Sequence, residues 1–238
     1  MNQKGFNALL ATGDSSPKLT KSNHAGLGYL SAIQYLAPVD LSGFNVCQHA
    51  SAGCKIACLN TSGRGRYQKT QQARIARTRY LFLNPSSYLI LLTAEIQRFS
   101  DYCKKRGQKA AIRLNGTSDL PFWSMYPVLF GTFSEVQFYD YTKAFGRMIE
   151  YLNGNLPPNY HLTFSRSEVN EPQCLEILKL GGNVAVVFQK EFPLTWNNFP
   201  VCNGDKHDLT FLHTAPIVGL KAKGKAKQDK SGFVVGAK

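Results

Sequence analysis

Short apolar runs alternate along the chain with longer stretches of helical period. Residues 27–36, 110–114, 136–139, 161–164, 184–188 and 217–220 read as strands, and 67–83, 86–105, 122–130, 143–152 and 172–180 as helices. Gly107 follows Cys103-Lys104-Lys105-Arg106, and Gly181-Gly182 follows Leu180, where left-handed helix caps are expected. Strands that alternate with helices build parallel sheets through right-handed crossovers. About six βα units predict an α/β fold, a partial or complete (βα) barrel, with an open doubly wound parallel sheet as the alternative. Nothing divides the chain, which reads as one domain over 1–238 with a flexible N-terminus at about 1–24 and a basic tail at about 222–238.

Both architectures bind ligands at the carboxyl ends of their strands, and here those ends are polar. Arg113, Asn115, Thr117 and Asp119 follow the second strand, Asp140 and Lys143 the third, and Arg166 and Glu168 the fourth. Gln189 and Lys190 follow the fifth, and Lys221 and Lys223 the last. One such end is explained by helix capping, as Thr117, Ser118, Asp119, Thr142 or Ser167 would each provide. Five in one chain argue for a shared pocket on the rim.

The loop after the first strand carries Cys47, Cys54 and Cys58. The first residues lack the pattern of a secretory leader, and intracellular thiols stay reduced, so the three read as metal ligands or a redox centre. A closed zinc site needs a fourth ligand, which His49 would supply. The spacing C-x6-C-x3-C is not that of paired zinc knuckles, and three thiolates suffice for an iron–sulfur cluster with one open iron. An iron–sulfur cluster is the favoured expectation, zinc the alternative, and buried unligated cysteines the bland reading. Cys103, Cys174 and Cys202 read as small buried apolar residues, with Cys202 kept as a possible fourth ligand.

The 238 residues, 43% hydrophobic and 12% aromatic, suffice for a substantial core, and a formal charge of +13 points to an anionic partner. Nucleic acid and a small phosphorylated or carboxylate ligand both fit. One basic run, Arg64, Arg66, Lys69, Arg74, Arg77 and Arg79, begins just after the cysteine loop, and a second, Lys221 to Lys230, lies near the end. A solvated tail explains the second run equally well, whereas the first is harder to dismiss as a solvated helix face because it adjoins the cysteine loop. Asn60-Thr61-Ser62-Gly63-Arg64-Gly65-Arg66 has the glycines and arginines of an anion-binding turn but not a P-loop ending. Tyr67, Tyr80, Phe82 and Tyr88 interleave with the basic run, as base-stacking residues do, though core packing is their commoner fate. His24, His49, His161, His207 and His213 are scattered and form no acid–base pair readable from spacing. With no apolar stretch long enough to span a bilayer, a cytoplasmic protein is expected.

The cysteine loop, followed in order by LNTSGRG, RLNGTSD, VQFYDYTK, LTFSRSE, GGNVAVVF and GLKAKG, resembles the bacteriophage gene product 88 family over roughly residues 44–234. That resemblance implies a viral origin and action in the cytoplasm of a bacterial host, and carries no activity with it. More loosely, the chain is similar to radical S-adenosylmethionine enzymes, where three cysteines after the first strand of a partial barrel hold a [4Fe–4S] cluster. That likeness implies that Cys47, Cys54 and Cys58 are the ligands, that the open iron takes the methionine part of S-adenosylmethionine, and that the polar strand ends hold cofactor and substrate. The chain departs from the usual C-x3-C-x2-C spacing and lacks a glycine–glycine–acid motif after the second strand. Two expectations follow. One is an enzyme whose ligand is oriented by Arg166, Lys143 and Asp119. The other is a noncatalytic iron–sulfur or zinc protein that binds nucleic acid or a host factor.

Overall fold

Hydrophobic side chains alternate across a single sheet, and that alternation organises the molecule. The computed structural model describes residues 5–236. Its strands are β1 (Leu10–Ala11), β2 (Tyr29–Gln34), β3 (Lys109–Arg113), β4 (Gln137–Thr142), β5 (Tyr160–Ser165), β6 (Val184–Phe188), β7 (Thr195–Trp196), β8 (Phe199–Asn203) and β9 (Ile217–Lys221). They lie in the order β1-β2-β3-β4-β5-β6-β9-β8-β7. All neighbours from β2 to β8 pair in parallel, and β1 and β7 add antiparallel edges. The fold is therefore α/β with a mostly parallel sheet. The order advances from β2 to β6 without reversal, and among the described residues the two edge strands do not pair with each other.

The helices are α1 (Pro17–Asn23), α2 (Ala52–Ile56), α3 (Gln68–Leu83), α4 (Pro85–Lys105), α5 (Phe122–Met125), α6 (Pro127–Thr132), α7 (Phe145–Leu152) and α8 (Glu171–Lys179). One face of the sheet, with Ile112, Phe138, Leu162 and Val186, shares the main core with Leu92 and Ile96 of α4, Phe130 of α6 and Ile177 of α8. Ala111 and Tyr139, one position over, pack instead against Leu209 and Phe211. Tyr141, Ala185 and Val218 form a further small cluster. Alternation puts these on the second face, which the long helices leave uncovered.

Local chemistry sets the breaks. The stretch expected as one helix at 122–130 is two, because Tyr126, at φ −139° and ψ 64°, precedes Pro127 and is driven out of helical geometry. Asn84, with φ −139° and ψ 57°, separates α3 from α4 ahead of Pro85 in the same way. Gly107 and Gly181 adopt φ of 64° and 84°, and Gln108 and Gly182 return their N–H groups to the carbonyls of Cys103 and Ile177. These are the expected left-handed caps.

Within the stretch read as a flexible N-terminus lie β1 and α1, with Leu9, Leu10 and Leu19 buried. The buried Glu95 carboxylate accepts the Leu9 and Leu10 N–H groups. The basic segment after β9 folds back across the cysteine loop, where Ala226, Phe233 and Val234 cluster with Ala57 and the partly buried Cys54. Among the described residues, no helix is long and apolar enough to cross a membrane.

Candidate functional site

A cavity of about 240 Å³ opens at the carboxyl ends of the parallel strands. That is far more room than a packing defect or a single water needs. Cys47, Cys54 and Cys58 all line it, so the loop that sequence spacing singled out meets the polar strand ends.

Several short bonds hold this loop. Ser51 caps α2 by accepting the Cys54 N–H at 3.2 Å, and the Glu168 carboxylate accepts the Gly53 N–H and the Ser51 hydroxyl, each at 2.7 Å. The Cys47 N–H donates to Asn45 Oδ1 at 2.9 Å, and the Asp119 N–H donates to the Val46 carbonyl at 2.8 Å, tying the loop to the segment after β3. Past Cys58, buried Asn60 is held by Gln71 and by the guanidinium of buried Arg74, both from α3.

The thiols share one electrostatic environment. Burial pushes Cys47 up to about 11, with the nearby Cys58 and Cys54 adding to the rise. Burial raises Cys58 as well, against the pull of Arg74 and Lys143. Both are neutral at pH 7, so metal binding must release their protons. Among the described residues no three His, Cys, Asp or Glu side chains already converge on a point that would hold a single metal ion. His49 is exposed and does not line the cavity, nor does Cys202, which packs beside Tyr141 and Val218. Cys103 and Cys174 are fully buried, as small apolar side chains are.

The remaining residues expected at the site divide by what they touch. Arg113, Asn115, Thr117, Asp119, Lys143 and Lys221 line the cavity. Several of these are engaged within the protein. Asn115 donates its N–H and side-chain amide to buried Asp140, at 2.7 and 3.0 Å, and Thr117 donates to the Leu36 carbonyl at 2.6 Å. Asp119 accepts the Lys143 N–H at 2.8 Å and pairs with Arg147 at 2.6 Å. Asp140, which does not line the cavity, is raised to about 6 by burial, against Arg113 and the donors from Asn115 and Tyr160. Through its bonds to Asn115 and Tyr160 it braces the β3 loop.

Arg166, Glu168 and Arg64 also lie off the cavity wall. Arg166 donates to the carbonyls of Gly232 and Phe233 and pairs with Glu171 at 3.2 Å, pinning the C-terminal segment. Arg64 donates to the Ser15 carbonyl at 2.7 Å. Arg77 and Arg79 bond the carbonyls of Ala8 and Ser42, at 2.7 and 3.0 Å. Much of the first basic run thus serves the fold, because its arginines supply donors to loops that have no ladder of their own.

Sequence reading missed part of the wall. Lys18 and Lys21 come from α1, and Asp205, His207 and Asp208 from the loop after β8. Neither α1 nor β8 carries a periodic signal. Six basic side chains, Lys18, Lys21, Arg113, Lys143, Lys221 and Lys223, thus face three acidic ones, Asp119, Asp205 and Asp208. Lys143 has no carboxylate partner among the described residues, and its ammonium lies 5.6 Å from the Phe233 ring centroid.

A family model described as Gene product 88 matches residues 7–237. No curated protein and no solved structure matches the chain.

Proposed function

The chain belongs to the gene product 88 family, and from the site it carries we propose that it is a phage iron–sulfur protein acting in the host cytoplasm. In this reading Cys47, Cys54 and Cys58 would hold a [4Fe–4S] cluster, which would supply one iron that no protein side chain ligates. The observation that carries the proposal is that three thiols from one loop line a single ligand-sized cavity. The donor set fits: three soft sulfur ligands suit a cluster, and the other candidate ligands, His49 and Cys202, stand off the wall. Ligand count is what favours a cluster over closed zinc. The strand order, which advances from β2 to β6 without reversal, supports reading the sheet as a partial (βα) barrel with its loops gathered at one rim.

When bound, such a cluster supplies one-electron chemistry and an open coordination site. The chain's residues do the rest. Lys143 offers an unpaired ammonium to an anionic ligand beside Cys58, and Asp119 fixes Lys143 through its backbone N–H. Phe233, Ala57 and Leu59 keep the thiol side apolar and limit access of water. S-adenosylmethionine is the first cofactor to test on the open iron.

The second reading is a noncatalytic cluster or zinc protein that binds nucleic acid. It draws on Lys225, Lys227 and Lys230, which are exposed on the segment folded over the cysteines. It requires binding that falls steeply with salt and needs no small cofactor.

The test is anaerobic reconstitution with iron and sulfide, followed by metal and sulfide analysis. About four iron and four sulfide per chain are expected, lost in each of Cys47→Ala, Cys54→Ala and Cys58→Ala. Stoichiometric zinc with no retained sulfide would reject the cluster.

A further inference from the structure

A second group in the cavity is independent of the thiols. Arg113 of β3, Tyr141 of β4, Lys18 of α1 and Asp208 of the loop after β8 meet on the cavity wall. Lys18 Nζ lies 2.6 Å from Asp208 Oδ1, and Arg113 Nη1 lies 2.9 Å from Oδ2. Both cations sit over the Tyr141 ring, at 5.6 and 4.4 Å from its centroid. Two cations share the Asp208 carboxylate, at a place where Arg113 and Asp208 are almost wholly buried, and Asp140 acts on Arg113 from farther off.

The hydrogen bonds are incomplete in the same place. Arg113 Nε, the Tyr141 hydroxyl and His207 Nδ1 are buried, lie on cavity-lining residues and have no partner among the described residues. An arginine Nε–H can only donate, a tyrosine hydroxyl donates readily, and Lys18 keeps N–H groups that Asp208 does not use. Native proteins seldom leave buried donors unmatched, and unmatched donors beside two cations form a receptor for an oxyanion.

We propose that Lys18, Arg113 and Tyr141 form a binding site for the phosphate or carboxylate group of a small ligand. Asp208 holds the two cations in place, and His207 closes one side. The site uses none of the cysteines and stands whether or not a cluster binds. A purely structural ion pair would also tie α1 to the sheet, but it would leave the Tyr141 hydroxyl without a role.

The test is calorimetric titration of the full chain with inorganic phosphate and, separately, with acetate. One saturable site per chain is expected for at least one of them. Tyr141→Phe keeps the ring beneath the cations and should weaken binding about tenfold or more, as loss of a hydrogen bond to a charged group does. Lys18→Met should weaken it further, while Lys179→Met, at an exposed residue of α8 away from the cavity, should leave it unchanged. Thermal melts confirm that each variant is folded, and if Lys18→Met is not, Tyr141→Phe alone decides. Saturation by phosphate alone assigns a phosphorylated ligand, by acetate alone a carboxylate, and by both a general oxyanion receptor. Failure of both to saturate, or binding unchanged in folded Tyr141→Phe, would overturn the proposal.

Discussion

Glu168, just past the end of β5, accepts the backbone N–H of Gly53 at 2.7 Å, two residues after the cap of the short helix that carries Cys54. The sequence reading offered Glu168 as a ligand-binding residue, but its carboxylate is occupied holding the cysteine loop. Burial opposes ionisation, yet the Gly53 and Ser51 donors prevail and hold it below the usual carboxylate range. Glu168→Gln should lower stability by about 1–2 kcal/mol in urea unfolding, since a bond to a charged acceptor is weakened at a partly exposed site. Gly53→Ala should act in the same direction, because an added Cβ would lie 2.8 Å from Glu168 Oε2 and push the carboxylate off its donor.

The segment folded over the loop leads to a second expectation. Phe233 is buried against Ala57 and Ala226, with Cys54 packed alongside. Phe233→Ala should make the thiols of the metal-free protein react several-fold faster with an alkylating reagent, as local opening becomes easier. An unchanged rate would mean that the segment does not guard the cysteines.

Arg74 separates a structural from a nucleic-acid role for the first basic run. Its guanidinium is buried, bonds Asn60 and stacks on Tyr35 at 4.9 Å. Arg74→Met should cost about 2–4 kcal/mol of stability by leaving Asn60 without its charged partner. Arg77→Ala, which removes the bond to the Ala8 carbonyl, should also register in unfolding, with little change in any salt-dependent affinity for DNA.

The Lys18 cluster predicts a pH signature. Burial lowers Lys18 from 10.5 to about 8 despite Asp208, while Arg113 and Lys223 press the same way. A base whose folded value is depressed is lost first from the folded state, so Lys18 by itself adds stability as pH climbs from about 8 towards 10. The buried thiols and tyrosines, among them Cys47, Cys174, Tyr139 and Tyr141, act the other way, because the unfolded chain ionises groups that burial keeps protonated in the fold. The Lys18 share is therefore read as a difference: in urea unfolding across that range the stability of Lys18→Met relative to the unsubstituted chain should fall as pH rises, and a pH-independent difference would refute the assignment.

The main strands and long helices were legible because each is a periodic run ended by a residue with a definite preference, such as Gly107, Gly181 or Pro85. The cysteines were legible from spacing alone. Asn115 and Asp140 looked like ligand-binding residues because a polar strand end has the same composition whether it faces a cavity or braces a loop. Only the bonds between them tell the two apart. Lys18 and Asp208 were not legible, since they lie 190 positions apart and meet through elements with no repeating pattern.

The central claim is a cluster held by three thiolates with one iron open to the cavity, and a Mössbauer spectrum of the anaerobically reconstituted protein tests it most directly. The account predicts a [4Fe–4S] spectrum in which one iron is distinct from the other three and shifts when S-adenosylmethionine or another small chelating ligand is added. A mononuclear tetrahedral iron signal, or no cluster in a protein that instead retains zinc, would contradict it.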